Sequence, residues 1–453
     1  MNIFKKIDPT TEKLVPSMFM FAIPIMLGTI LQTLFNACDL IVVRMYADSV
    51  AVASVAATST VTNLFVTSVV GLSTGVNIVL ARLVGSKEYG RVKRLVSTSL
   101  VTAVVVGVIV ALVGVLFGED VLRLMNCPED CFDGARTYFI VYVICAPFIL
   151  VYNFAATIIR TDGDSFRPLF YLAYAGVFNV GLNLLLCVLL ENKVLAVAIA
   201  TVMAQILGAI LTTVRLLRVD GACRFSFREI SFDFSLCKIL FRYGIPGAIT
   251  NASFAISNLL IQGAINSFGS STIAGNAGSS NIESMINSVC AGFHTAISVF
   301  IGQNIGANKP ERVKKTCFLG TLWACGLILV LSSVATLFEV PLLKLFVGDD
   351  PVAIAGGLSR NFFVLRFYTI YCFRGSLRSI LNGFGYSKFT MVESLLSIVL
   401  FRILWMSFIY PLNPTLNMAN VTYLLSVLIA IAISTPMIIY VAHRYKKGYV
   451  SKI

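Results

Sequence analysis

Apolar residues in this chain gather into long runs, separated by short segments rich in Lys, Arg, Gly and Pro. A helix rises about 1.5 Å per residue, so about 20 apolar residues are needed to cross the hydrocarbon core of a bilayer. Twelve runs are long enough: 15–43, 52–80, 95–118, 136–159, 168–190, 194–216, 241–266, 274–303, 316–338, 358–382, 388–411 and 418–442. The pattern predicts an all-α integral membrane protein of twelve transmembrane helices. Composition agrees. The 453 residues are 57% hydrophobic and 13% charged, against about 25% charged in soluble proteins. There is too little polar surface to cover a soluble body of this size.

The net charge of +13 does not point to nucleic acid. Most basic residues lie in short segments between apolar runs, on one side of the predicted membrane, as in Arg91, Lys93 and Arg94 or Lys309, Arg312, Lys314 and Lys315. That bias puts both termini in the cytoplasm and requires an even number of spans. No zinc-ligand spacing and no basic stripe with interleaved stacking aromatics is present. The N-terminal lysines precede a long apolar run without a cleavage pattern, so the first helix is expected to be retained. Eleven cysteines are scattered, mostly in apolar runs, and read as small core residues. Cys127 and Cys131, on a predicted outer loop, leave a disulfide open in an oxidising compartment. No metal site and no cofactor is expected.

The sequence repeats internally. LVGSKEYGRVKR at 83–94 matches NIGANKPERVKK at 304–315. AIPIMLGTILQTLFN at 22–36 matches GIPGAITNASFAISN at 244–258, and IIRTDGDS at 158–165 matches ILNGFGYS at 380–387. The halves are expected at 1–220 and 221–453, six helices each. An even number of spans per half gives both the same orientation. They are therefore two bundles related by a pseudo-two-fold axis along the membrane normal. Such repeats commonly enclose a binding cavity and alternate its access. There is no nucleophile–base arrangement or metal cluster, so no catalytic residue is assigned. There is no G-x-x-x-x-G-K-[ST] loop for ATP. The expected function is transport. The expected partners are small-molecule drugs or metabolites and the lipid bilayer, with the chain acting as a monomer.

Several stretches together resemble the multidrug and toxic compound extrusion (MATE) family across nearly the whole chain. They are Asp39-Leu-Ile-Val-Val, Gly71-Leu-Ser-Thr-Gly75, Leu83-Val-Gly, Arg160-Thr-Asp-Gly-Asp with Pro168, Asn179, Gly244-Ile-Pro and Gly302-Gln-Asn-Ile-Gly-Ala. The resemblance is greatest to the bacterial DinF-like branch. It implies two bundles forming a V in a bacterial cytoplasmic membrane. It also implies export of amphiphilic, often cationic, compounds by antiport with protons or sodium. The alternative is a lipid-linked oligosaccharide flippase of the same superfamily. In that branch the acid matching Asp39 couples the cation. This chain departs from the family in having Asn183 where Asp is common. It also has Phe254 and Tyr371 at the second-lobe positions that are acidic in another branch, and Arg44 where Gly is usual. The second-lobe cation site of that other branch is absent.

The residues themselves carry a compatible reading. Asp39 lies among apolar residues, and a charge at membrane depth costs at least about 2.5–3.5 kcal/mol. It is therefore a candidate to take up a proton or, with oxygen neighbours, sodium. Asn36, Asn179 and Asn183 are candidate neighbours. The last two are four apart and share a helix face. One carboxylate among neutral amides suits a proton better than sodium. Glu283 and His294 also share a face, about 16 Å apart along their helix, and form a candidate second polar site. Arg374 and Arg402 are expected to pair with Glu283 or Glu393, or to attract an anionic group. Arg160 is expected to pair with Asp162 or Asp164. Pro24, Pro147, Pro246 and Pro436 predict kinks. Phe35, Phe65, Tyr152, Phe154, Phe178, Phe254 and Phe293 are candidate substrate-binding aromatics.

Overall fold

The computed structural model describes residues 6–46, 49–124 and 129–448. These residues are almost wholly helical and contain no strand. The elements are α1 (Leu14–Tyr46), α2 (Ser49–Gly85), α3 (Tyr89–Leu124), α4 (Glu129–Ile144), α5 (Ala146–Thr161), α6 (Phe166–Leu189) and α7 (Lys193–Arg218). They continue as α8 (Phe234–Asn266), α9 (Ser270–Gly306), α10 (Pro310–Leu337), α11 (Glu339–Val347), α12 (Pro351–Phe363) and α13 (Tyr368–Gly383). The last two are α14 (Ser387–Leu412) and α15 (Leu416–Lys446).

Among the described residues, ten helices are long and apolar enough to cross a membrane by themselves. The run expected at 136–159 is two helices, α4 and α5, bent by 49°. Pro147 in the first turn of α5 accounts for the break, since its ring removes a backbone donor and clashes with the preceding turn. Pro24, Pro246 and Pro436 sit inside helices that run on. The run expected at 358–382 spans α12 and α13. These are helices of 13 and 16 residues, each too short to cross a membrane alone, and the run carries Arg360, Arg366, Arg374 and Arg378. Exposed faces are apolar where lipid would lie. On α3, Val105, Ile109, Leu112 and Leu116 are 51–72% exposed at helical spacing, a stripe that water would not tolerate at this length.

The repeats reappear as backbone geometry. Lys87 and Asn308 occupy matching repeat positions, and both are left-handed, with φ of 60° and 52°. The surrounding hydrogen bonds correspond bond for bond. Lys87 and Glu88 N–H donate to Val84 and Leu83 carbonyls, and Asn308 and Lys309 N–H to Ile305 and Asn304 carbonyls. Gly163 and Gly385 likewise match, with φ of 97° and 79°. Each closes its helix by the same pair of bonds, Gly163 and Asp164 on Arg160 and Ile159, Gly385 and Tyr386 on Asn382 and Leu381.

Two compact units result. One is Met1–Ile7 with Leu27–Gly244, the other Asp8–Met26 with Ile245–Ile453. The first part of α8 packs in the first unit because α2 and α8 touch backbone to backbone. A Cβ on Gly75 would sit 2.4 Å from the Leu240 carbonyl oxygen. Asp8–Met26 packs in the second unit, where Phe19 meets Phe293 and Trp323 edge-on at 5.1 and 5.4 Å. Pro9 there accepts hydrogen bonds from Asn304 and Arg312.

Candidate functional site

In the first unit, α1 carries Asp39 and α6 carries Asn179 and Asn183. Both asparagines are buried. Their four-residue spacing aims them from one face of α6 at Asp39. Asn183 Nδ2 donates to Asp39 Oδ1 at 2.6 Å and to Asn179 Oδ1 at 3.3 Å. Among the described residues no Lys or Arg pairs with Asp39. The Asn183 side-chain oxygen is buried without a partner. The side chain of Asn36 lies outside the described residues, as does Cys127. Tyr138 neighbours Asp39, and its hydroxyl meets that of Thr201. Tyr138 stacks on Tyr142 at 6.2 Å, and Phe65 meets Tyr142 edge-on at 6.5 Å. The Phe35 ring lies over Gly176, where any Cβ would collide with it at 1.9 Å. Tyr152 packs against Gly208, Phe154 is fully buried, and Phe178 is exposed. Tyr138 was not singled out from sequence. It lies about a hundred residues from Asp39, and nothing in spacing joins them.

In the turn between α5 and α6 Asp162 and Asp164 are not taken by Arg160. Asp162 pairs with Lys6. Asp164 pairs with Arg167 and, at 3.8 Å, with Arg215. Arg160 lies instead by Tyr152.

The second unit has a polar interior of another sign. Glu283 accepts from Arg360 at 2.6 and 3.2 Å. Arg360 also reaches Asn276 and the Tyr423 hydroxyl. Arg374 holds Glu393 through three contacts of 3.0–3.2 Å, with Ser394 closing the set. His294 is not brought to Glu283. Its Nε2 lies 3.1 Å from the Cys372 carbonyl oxygen. Among the described residues Arg402 bonds only neutral groups, Asn258 Oδ1 at 2.8 Å and Ser426 Oγ at 3.2 and 3.3 Å. Phe254 lies beneath Arg374 and Arg378, and Phe293 is packed in the core. Sequence reasoning missed Arg360 as the partner of Glu283. The signal was an acid needing a cation, but several arginines between 360 and 402 could have met it.

Residues 24–185 and 246–406 match the MatE family. The chain belongs to that family. Its relatives include the probable multidrug resistance proteins YoeA and YpnP of Bacillus subtilis. YoeA is 27% identical over 70% of each chain, and YpnP 24% identical over 88% of this chain and 89% of its own. An FAD transporter of Shewanella oneidensis is 23% identical over 67% of this chain and 68% of its own. Two solved structures share the fold. A multidrug resistance MATE family transporter in an outward-facing conformation aligns with TM-score 0.84 at 18% identity, covering 99% of this chain and 98% of its own. A MOP superfamily transporter from Pyrococcus furiosus, whose reverse polarity of binding pocket suggests a different function, aligns with TM-score 0.85 at 19% identity, covering 98% and 96%. This MatE protein is thus a multi-pass membrane transporter with the family's twelve-helix, two-lobe fold, and not an enzyme. Taken as one span, the bent pair α4–α5 brings the count among the described residues to eleven. Family members act on small molecules in the membrane and need no cofactor.

Proposed function

We propose that this transporter exports amphiphilic small molecules in exchange for a cation, and that the cation enters at Asp39. The observation that carries this reading is a partly buried carboxylate that, among the described residues, is held by one neutral amide, that of Asn183, and by no basic group. A negative charge at membrane depth without a basic partner is costly, and binding a cation removes the cost. Exchange follows if the lobe containing Asp39 has one stable arrangement with the charge neutralised and another with it bare. A proton suits the site better than sodium, because one carboxylate supplies one charge and few oxygens. Asn183 supports either ion. Rotating its amide by half a turn would exchange the donor facing Asp39 for the oxygen that now lacks a partner. That oxygen could then accept from a protonated Asp39 or ligate a cation.

The bias of basic loops supports a bacterial cytoplasmic membrane location with both termini inside. The two sequence repeats support two six-helix lobes at about 1–220 and 221–453 working as one monomer. The multidrug relatives support a broad substrate range. The test is transport in proteoliposomes under imposed proton or sodium gradients. Asp39→Asn is expected to abolish gradient-driven movement of substrate. Full coupling in that variant would remove Asp39 from the mechanism.

A further inference from the structure

The interior of the second unit holds more cation than its acids can balance. Arg360, Arg374 and Arg402 are each 5% exposed or less, and Arg378 is partly buried. Against these four stand Glu283 and Glu393. Glu339 is engaged by Arg366, and Asp349 and Asp350 lie in the segment before α12. The four guanidinium groups share two rings. Arg374 and Arg378 lie over Phe254 at 4.8 and 5.6 Å, and Arg360 and Arg402 over Tyr423 at 4.6 and 4.9 Å. Asn258, which receives Arg402, is one turn along α8 from Phe254. The positive groups therefore form one connected strip.

Donors exceed acceptors in this strip. Each guanidinium offers five N–H groups. Arg402 uses its own on Asn258 and Ser426, and among the described residues Arg378 makes no hydrogen bond and no ion pair. Tyr371 has Glu283, Arg402, Arg360 and Tyr423 as neighbours, yet its buried hydroxyl oxygen has no partner. Its ring is held in place by stacking on Tyr368 at 5.6 Å. A buried hydroxyl without a partner is costly. Beside surplus guanidinium it is satisfied best by an acceptor carrying negative charge. Arg402 also lies between two π-helical stretches of α14, Leu395–Leu400 and Trp405–Ile409, a backbone form that clusters at functional sites. Tyr371, Arg378 and Phe254 retain partial exposure, which leaves an approach.

We propose that the second unit contains an anion-binding site, centred on Arg402 and the Tyr371 hydroxyl, that receives the carboxylate, sulfonate or phosphate group of an amphiphilic substrate. The apolar body of that substrate would rest on the neighbouring rings. The substrate class thereby extends from cationic compounds to anionic and zwitterionic ones. The proposal rests on the transport reading above for its meaning, but not for its test.

The test is equilibrium binding to purified protein in phosphatidylcholine nanodiscs, with no gradient. Two dyes on one xanthene scaffold are compared by fluorescence anisotropy, the anion fluorescein and the cation pyronin Y. Fluorescein is expected to bind wild type the more tightly. Tyr371→Phe is expected to weaken fluorescein about 5- to 10-fold, and Arg402→Gln about 10- to 100-fold, with pyronin Y unchanged. Arg402→Lys, which keeps the charge, should restore part of the loss. Tyr371→Phe removes only an unpartnered hydroxyl, so its melting temperature without dye should hold or rise, and folding cannot explain the lost affinity. Unchanged fluorescein affinity in Tyr371→Phe and Arg402→Gln would overturn the site. Loss of fluorescein binding when phosphatidylglycerol replaces phosphatidylcholine, in an Arg402-dependent way, would assign the site to a lipid headgroup and overturn the substrate role. If fluorescein binds as expected but no gradient moves any dye, the coupling reading fails and the anion site stands.

Discussion

Glu393→Gln tests what the buried charges of the second unit do for stability. Glu393 and Arg374 side chains are 1% and 6% exposed. Arg374 donates to Glu393 at 3.0, 3.1 and 3.2 Å, and the Ser394 and Ser397 hydroxyls donate to the same carboxylate at 3.1 and 3.3 Å. Removing one partner of a buried pair leaves the other charge uncompensated, at about 3–5 kcal/mol. The glutamine oxygen retains one acceptor, worth about 1 kcal/mol. The expected loss is therefore about 2–4 kcal/mol. It belongs near the upper end, because Arg374 and Arg378 share the Phe254 ring and would face each other with no acid between them. Removing both partners should cost far less. Arg374→Met with Glu393→Met deletes both desolvated charges. It should fall within about 2 kcal/mol of wild type, the residue being the lost stacking on Phe254. Reversible unfolding in mixed micelles, run as a double-mutant cycle, measures this. Additive single losses, with the double variant the least stable, would refute the reasoning.

Other expectations follow from single observations. Gly163→Ala should cost about 2 kcal/mol or more by thermal unfolding, since φ is 97° and the new Cβ would meet the Ile7 carbonyl oxygen at 2.3 Å. Lys87→Gly should instead stabilise by about 0.5 kcal/mol. It relieves a left-handed lysine and gives back part of that gain as unfolded-chain entropy. Asn183→Leu should lower stability by about 1.5–3 kcal/mol through loss of the charge-assisted bond to Asp39, and a smaller effect in the Asp39→Asn background would tie the loss to that bond. Burial acts to raise the Asp8 carboxyl, but the Thr10 hydroxyl and N–H and the Thr11 hydroxyl outweigh it and hold it below 3.8. Its contribution to stability is thus complete above the unfolded value and is lost as pH falls through the lower folded one. Asp8→Asn should flatten the decline of the melting temperature below about pH 4.

Much of this protein could be read along the chain. Membrane helices announce themselves by apolar length, because lipid forces every backbone group to bond within its own segment. The repeats were visible as words, and each word reappears as a turn, with Lys87 matching Asn308 and Gly163 matching Gly385. Asp39, Asn179 and Asn183 were legible as a group, since an acid at depth demands polar neighbours and a four-residue spacing supplies a shared face.

Partner choice between distant helices was decided only in three dimensions. Glu283 found Arg360 rather than Arg374 or Arg402, His294 turned to a backbone carbonyl, and Asp162 went to Lys6 across most of a lobe. Periodicity says which face of a helix a residue occupies, but not which other helix that face meets. The surplus of positive charge around Tyr371 has the same origin. Each arginine is an ordinary letter in the sequence, and their joint excess exists only where α8, α12, α13, α14 and α15 converge.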